Sequence, residues 1–224
     1  MFETLMQTSA GATPGIVQAA WGFLEKGGIF MIPLGVTSVV GIAAMVYKFL
    51  SLSPSRVIPT GLEKQLIKFP ELAANGGEAG LIKEVEIGAS ALARLAATAI
   101  RHRGKAQNDI ASAVEAAARV EGARLHAGIG VLDIVITVAP LLGLLGTASG
   151  LVTIFQGLSD AADHLAIARG IAEALNTTIF GLAIAVPCVI AHGYFTRRIE
   201  LLTVRLESLL ADLTDACRGD SING

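Results

Sequence analysis

Thr147, Glu173, Thr177 and Thr178 are among the residues with hydrogen-bonding or titratable side chains that stand inside apolar runs. Residues 139 to 158 read "APLLGLLGTASGLVTIFQGL", long and apolar enough to cross a bilayer, yet they hold four glycines, three hydroxyls and a proline. A helix that only sat in lipid could be built from leucine, so these residues need a reason. Taken as a helix, positions 143, 147, 150, 154 and 157 share one stripe, which gathers Gly143, Thr147, Gly150 and Gly157. Gly146 and Gly150 also form a GxxxG pair. Small stripes in lipid let helices approach closely. Hydroxyls there bond back to their own helix or face a neighbour or water. The stripe therefore serves helix packing alone, or packing with Thr147 lining a pore.

The run 170 to 195, "GIAEALNTTIFGLAIAVPCVIAHGYF", sharpens the choice. An intramembrane carboxylate is expensive and marks a functional position by default, which singles out Glu173. The plain alternative is a hydrated Glu173 at the interface. Glu173 and Thr177 are four apart and share a face, while Thr178 lies about 140° around. Gly181 continues the small-residue packing surface. Thr147 is ten residues before the outer end of its run, and Thr178 about eight after the start of the next. In antiparallel helices that puts the two threonines at similar depth, a polar ring with Glu173 above it. No run has an Asp or Glu at its middle. Threonines line a path but cannot hold a proton's charge. If the chain conducts protons, the central carboxylate must come from another subunit.

These residues require helices that span a membrane. Of 224 residues 53% are hydrophobic and 16% charged, with a mean hydropathy of +0.63, against about 25% charged in a typical soluble domain. Three runs reach the roughly 20 apolar residues a spanning helix needs: 28–50, 131–157 with Asp133 near its start, and 170–195. Eleven Lys and Arg lie between Lys48 and Arg124 and four more in the tail, against Lys26 alone at the N-terminus and Arg169 alone between spans two and three. This asymmetry predicts that the N-terminus faces outside and the C-terminus the cytoplasm. The organisation expected is an N-terminal segment 1–27, a first span 28–50, a cytoplasmic helical region 51–130, a second span 131–157, an outer turn 158–169, a third span 170–195 and a C-terminal helix 196–224. The fold class is an all-α membrane protein with three transmembrane helices, spans two and three extended into a cytoplasmic helical bundle.

Within 51–130, "Pro54-Ser55-Arg56-Val57-Ile58-Pro59" breaks the first helix and "Asn75-Gly76-Gly77" is a turn. Helix propensity is strong from Ala89, "RHRGKAQND" interrupts it, and Asn108 or Asp109 can cap the next helix. That helix has no obvious stop and is expected to run straight into span two. Ile110, Val114, Ala117 and Val120 to Ala123 form its apolar face.

Other chemistries are poorly served. A net charge of −2 and 5% aromatics argue against nucleic acid. Cys188 and Cys217 have no CxxC spacing and read as reduced structural thiols. "GLLGTASG" lacks the lysine of a phosphate loop, and no GxSxG or HExxH occurs. His102, His126, His164 and His192 lack ligand spacing, His192 reading as interfacial. No cofactor, metal or catalytic constellation is expected, so the chain does not read as an enzyme. "Arg101-His102-Arg103-Gly104-Lys105" reads as a solvated helix end, with contact to anionic lipid as the alternative. The N-terminus has no basic stretch followed by a greasy core, so no cleaved signal is expected.

The two motifs "APLLGLLGTASG" and "GIAEALNTTIFGLAIAVPCVIAH", with "KGGIFMIPLGVTSVV" before them, resemble the MotA/TolQ/ExbB proton channel family. Three spans fit its ExbB and TolQ branch. The resemblance implies a pentamer around a single-span ExbD/TolR-like partner that carries the essential Asp, and a TonB/TolA-like energy transducer, in the bacterial inner membrane. It also implies functional roles for Thr147, Thr178 and Glu173 and places Pro140 at the opening of the span-two motif. Asn176 and Thr177 make span three more polar than the family's usual Leu-Ala, and "Tyr47-Lys48-Phe49" replaces a Glu-Arg pair. The rival readings are a TolQ-type envelope role and a structural scaffold without ion conduction.

Overall fold

A computed structural model describes residues 29–74, 79–156 and 164–217. The expected N-terminal segment, the 75–77 turn, Gly157 and most of the outer turn lie outside the described residues. The helices are α1 (Met31–Ser51), α2 (Pro54–Val57), α3 (Thr60–Ile67), α4 (Phe69–Ala74), α5 (Ala79–Ile87), α6 (Ala91–Arg101), α7 (Gln107–His126), α8 (Ile129–Gln156) and α9 (His164–Ala216). No strand occurs among the described residues. Stretches within Met31–Ser51, Gln107–Gln156 and Ile167–Ala216 are long and apolar enough to cross a membrane. The chain is an all-α membrane protein.

Two compact units divide the chain: residues up to Gly41 with Ile134–Cys188, and Ile42–Asp133 with the residues from Val189. In the first, the start of α1 packs on α8 and α9. Met31, Leu34 and Ala139 are buried there, with Leu142, Phe180 and Ile184 against them. At Gly41 a β-carbon would lie 3.1 Å from Cys188 Sγ and 3.2 Å from Val135 Cγ1, so the three helices meet closely at that level. Pro140 and Pro187 lie inside α8 and α9 without ending them. Each removes one backbone donor, which neighbours and local adjustment in a membrane bundle tolerate.

The second unit is built differently. Helix α6 begins where the Ser90 hydroxyl accepts from the Ala93 amide at 3.1 Å. Its alanines and leucines are buried, Ala91, Leu92, Ala93, Leu95, Ala96 and Ala99 among them. Helix α7 presents Ile110, Val114, Glu121 and Leu125 inward. This corrects the expected apolar face, because Val120 is exposed and an acid takes the buried place. Glu121 is tolerated because Arg94 grips it with two bonds, Nε to Oε1 at 2.7 Å and Nη2 to Oε2 at 2.6 Å, and Arg124 adds a third at 2.8 Å. The hydrogen bond from Arg94 holds the Glu121 carboxyl below its ordinary pKa even though burial pushes the other way.

Nor does α7 run unbroken into the second span. It ends at His126; Ala127 is extended and Gly128 has φ +86, a left-handed conformation that glycine adopts without steric cost. Lys48, 1% exposed, donates from Nζ to the Leu125 carbonyl at 2.6 Å and so caps the last turn of α7. The α7 N-cap is Ala106 rather than Asn108 or Asp109; Asp109 stands in the first turn, where its charge suits the helix dipole. By contrast, α9 carries the third span and the tail as one helix of 53 residues, about 80 Å at 1.5 Å per residue. Its tail is tied by Arg205 Nε to Glu63 at 2.9 Å and by Gln107 to Asp215 at 3.0 Å.

Arg94→Ala leaves a mostly buried carboxylate with one partner fewer and should cost about 1–3 kcal/mol, read as a lower thermal midpoint in detergent. Because the folded carboxyl titrates below its unfolded value, the difference between wild type and variant should be full at neutral pH. It should vanish as pH falls through the lowered pKa.

Candidate functional site

The site grows from the contact between α8 and α9, which pack antiparallel. A β-carbon at Gly143 would lie 2.8 Å from the Thr177 carbonyl oxygen and 2.9 Å from Thr178 Cα; at Gly146, 2.5 Å from Thr177 Oγ1; at Gly150, 2.8 Å from Ala174 Cβ. At Gly181 it would lie 2.5 Å from the Ala139 carbonyl oxygen, beside Pro140. Gly143 and Gly181 let backbone meet backbone, Gly146 lets it meet a hydroxyl, and Gly150 lets it meet a methyl. The contact stripe of α8 is thus Gly143, Gly146 and Gly150, three and four residues apart.

Thr177 is the centre of this seam. It is 2% exposed, and its hydroxyl is within bonding distance of the Gly143 carbonyl across the interface at 3.0 Å and of Ala174 on its own helix at 2.8 Å. Thr147 donates to the Leu144 carbonyl of its own helix at 2.7 Å. Thr178 is the exception. Its hydroxyl oxygen is buried and has no hydrogen-bond partner among the described residues. Leaving a buried hydroxyl unpaired costs about 1–3 kcal/mol, so its arrangement calls for an explanation.

Above the seam opens a cavity of about 360 Å³ lined by Ser149, Thr153, Glu173 and Thr177 over a floor that includes Gly146, Gly150 and Gly170. Ile29 and Phe30 close one side. The structure therefore brings Glu173 and Thr177 together, as their spacing implies. It makes no hydrogen bond between Thr147 and Thr178. Ser149 and Thr153 are cavity residues that the stripe through Thr147 left out. A stripe drawn through glycines alone, 143–146–150, would have turned Ser149 and Thr153 toward Glu173. Chemically the cavity offers hydroxyls and one carboxylate to water or a proton. Among the described residues no group of three or more His, Cys, Asp or Glu is arranged to hold a metal ion.

Three long apolar helices, a glycine seam and a cavity lined by hydroxyls define a polytopic membrane protein. The model of the MotA/TolQ/ExbB proton channel family matches residues 87–208. The chain belongs to that family, and its relatives put it in the ExbB/TolQ branch. It is 32% identical over 174 residues to the ExbB-like 1 protein of Synechocystis, covering 72% of this chain and 64% of that protein. An ExbB homolog of Methanothermobacter thermautotrophicus is 33% identical over 130 residues, 58% of this chain and 47% of the homolog. The Tol-Pal system protein TolQ of Pseudomonas aeruginosa is 39% identical over 98 residues, 43% and 42% respectively. The matches thus span between 42% and 64% of these relatives' lengths.

Gly181→Ala forces a methyl against backbone and should destabilise by about 1–3 kcal/mol. Gly146→Ala should do the same by displacing the Thr177 hydroxyl. Gly35→Ala, where no atom lies within 4 Å, should be neutral or slightly stabilising. Thermal midpoints of the three variants in detergent check this order.

Proposed function

We propose that the chain is an ExbB-like subunit of a proton-driven motor complex in the bacterial inner membrane. Its N-terminus is periplasmic and its C-terminus cytoplasmic, a reading supported by fifteen Lys and Arg on one side against two on the other. Five copies enclose an apolar lumen walled by α8 and α9. A single-span ExbD/TolR-like partner sits inside and carries the acidic residue that the spans of this chain lack at their middle. The complex passes its work to a TonB/TolA-like transducer for transport across the outer membrane.

The observation that carries this reading is the seam itself: glycines and hydroxyls without a central acid, in a chain of the proton channel family. Protonation of the partner carboxylate removes its charge and with it the cost of desolvation in the lumen. Thr147 and Thr178 offer hydroxyls to the ionised form, and the unpartnered Thr178 hydroxyl suits such a role. Glu173 and Thr177 line the outer approach. Each proton crossing 100 mV supplies about 2.3 kcal/mol. The identity with TolQ favours a second reading, a subunit serving envelope integrity. In a structural scaffold, by contrast, the hydroxyls would be dispensable.

The double variant Thr147→Val, Thr178→Val keeps shape and removes both hydroxyls. Proton-dependent transport or envelope function should fall about tenfold or more at normal expression, as measured by complementation of a deletion strain. Full activity would remove the polar-ring mechanism and favour the scaffold.

A further inference from the structure

In α8 from Ile134 to Gln156, and in α9 from Ala174 to Ala191, no carboxylate, imidazole, ammonium or guanidinium occurs. The residues that end these two stretches are Asp133 and His192. Asp133 stands fourteen residues before Thr147 on α8, and His192 fourteen residues after Thr178 on α9. Their sequence positions do not pair them, but the structure does: His192 Nε2 is 2.9 Å from Asp133 Oδ1. The side chains are 30% and 59% exposed.

We infer that Asp133 and His192 form the inner proton-accepting station of this subunit, where protons released from the apolar interior are taken up and passed to cytoplasmic water. The inference rests on the proton-driven reading above. At 2.9 Å the Nε2–H donates to the Asp133 carboxylate, which fixes the tautomer and leaves Nδ1 as the accepting nitrogen. A proton carried by water from the interior binds Nδ1, giving an imidazolium whose charge faces the carboxylate. Nδ1 then returns one proton to water on the cytoplasmic side, and the pair is restored. Imidazole is suited to this because one ring nitrogen can donate while the other accepts. Three other polar groups of the same unit are engaged elsewhere. Lys48 is held by the Leu125 carbonyl, and the Tyr47 ring faces Gly128. Arg198 donates to the Leu52 carbonyl and the Tyr194 hydroxyl.

A structural tie and a proton relay make different demands on His192. In His192→Gln the amide still donates to Asp133 but cannot be protonated. The full chain, copurified with its single-span partner, is reconstituted in liposomes with an entrapped pH dye, and inward proton flux is followed under an imposed potential across a range of internal pH. His192→Gln should reduce flux about tenfold or more and flatten its dependence on internal pH, with partner yield unchanged. Asp133→Asn keeps an acceptor for the imidazole and is the second arm, expected to lower flux and displace the pH profile. Wild-type flux with a wild-type pH profile in either variant overturns the relay and leaves a tie between two helices. Absence of flux from the wild-type complex overturns the proton-driven reading as well, so the two failures are told apart.

Discussion

Close approach of α8 and α9 is the constraint on which the membrane-embedded part depends. In lipid, two helices gain little from burying apolar side chains, because the tails around them are just as apolar. What they gain comes from contact and from polar bonds that lipid cannot offer. Gly143, Gly146, Gly150 and Gly181 remove four β-carbons that would hold the helices apart. That proximity lets the Thr177 hydroxyl reach a carbonyl of the other helix at all. Larger residues at those four positions would keep both helices but lose the seam.

The same proximity sorts the hydroxyls into two kinds. Thr147 and Thr153 bond back to carbonyls of their own helix, three and four residues earlier, and so remain compatible with any surroundings. Thr177 is consumed by packing. Thr178 keeps an unanswered oxygen in a buried place, as Thr196 does further along α9. A subunit that works by itself would have little reason to keep that oxygen, since valine fills the space without the desolvation cost. Under the proposed function, that oxygen is kept for the partner subunit.

Legibility from the sequence followed the physics of each feature. The three spans, the all-helical class and the glycine seam could be read because lipid imposes length, apolarity and small contact residues. Glu173 and Thr177 could be paired because i and i+4 share a face on any helix. Glu121 could not be read as buried, since an acid among alanines on a charged helix looks solvated until Arg94, twenty-seven residues earlier, arrives to pair with it. The break at Ala127–Gly128 was hidden for a related reason. Glycine within an apolar, small-residue run signals packing as readily as a left-handed turn, and the difference is a φ value that only the fold sets. Ser149 and Thr153 were passed over because a stripe through Thr147 and one through Gly146 differ by a single residue.

Lys48 shows how such a break is held once made. A helix that stops leaves its last carbonyls unanswered, and near a bilayer water does not reliably answer them. A buried ammonium is itself costly unless it finds an acceptor. The Leu125 carbonyl and Lys48 therefore solve each other's problem at 2.6 Å. Gly128 supplies the turn that lets α8 start at the next residue, with no side chain between it and Tyr47. A continuous helix through 127–128 would have met the α7 backbone bonds internally and left Lys48 buried without an acceptor. The interruption and the lysine are thus one feature, and the basic residue that ends the first span is accounted for by the carbonyl it caps.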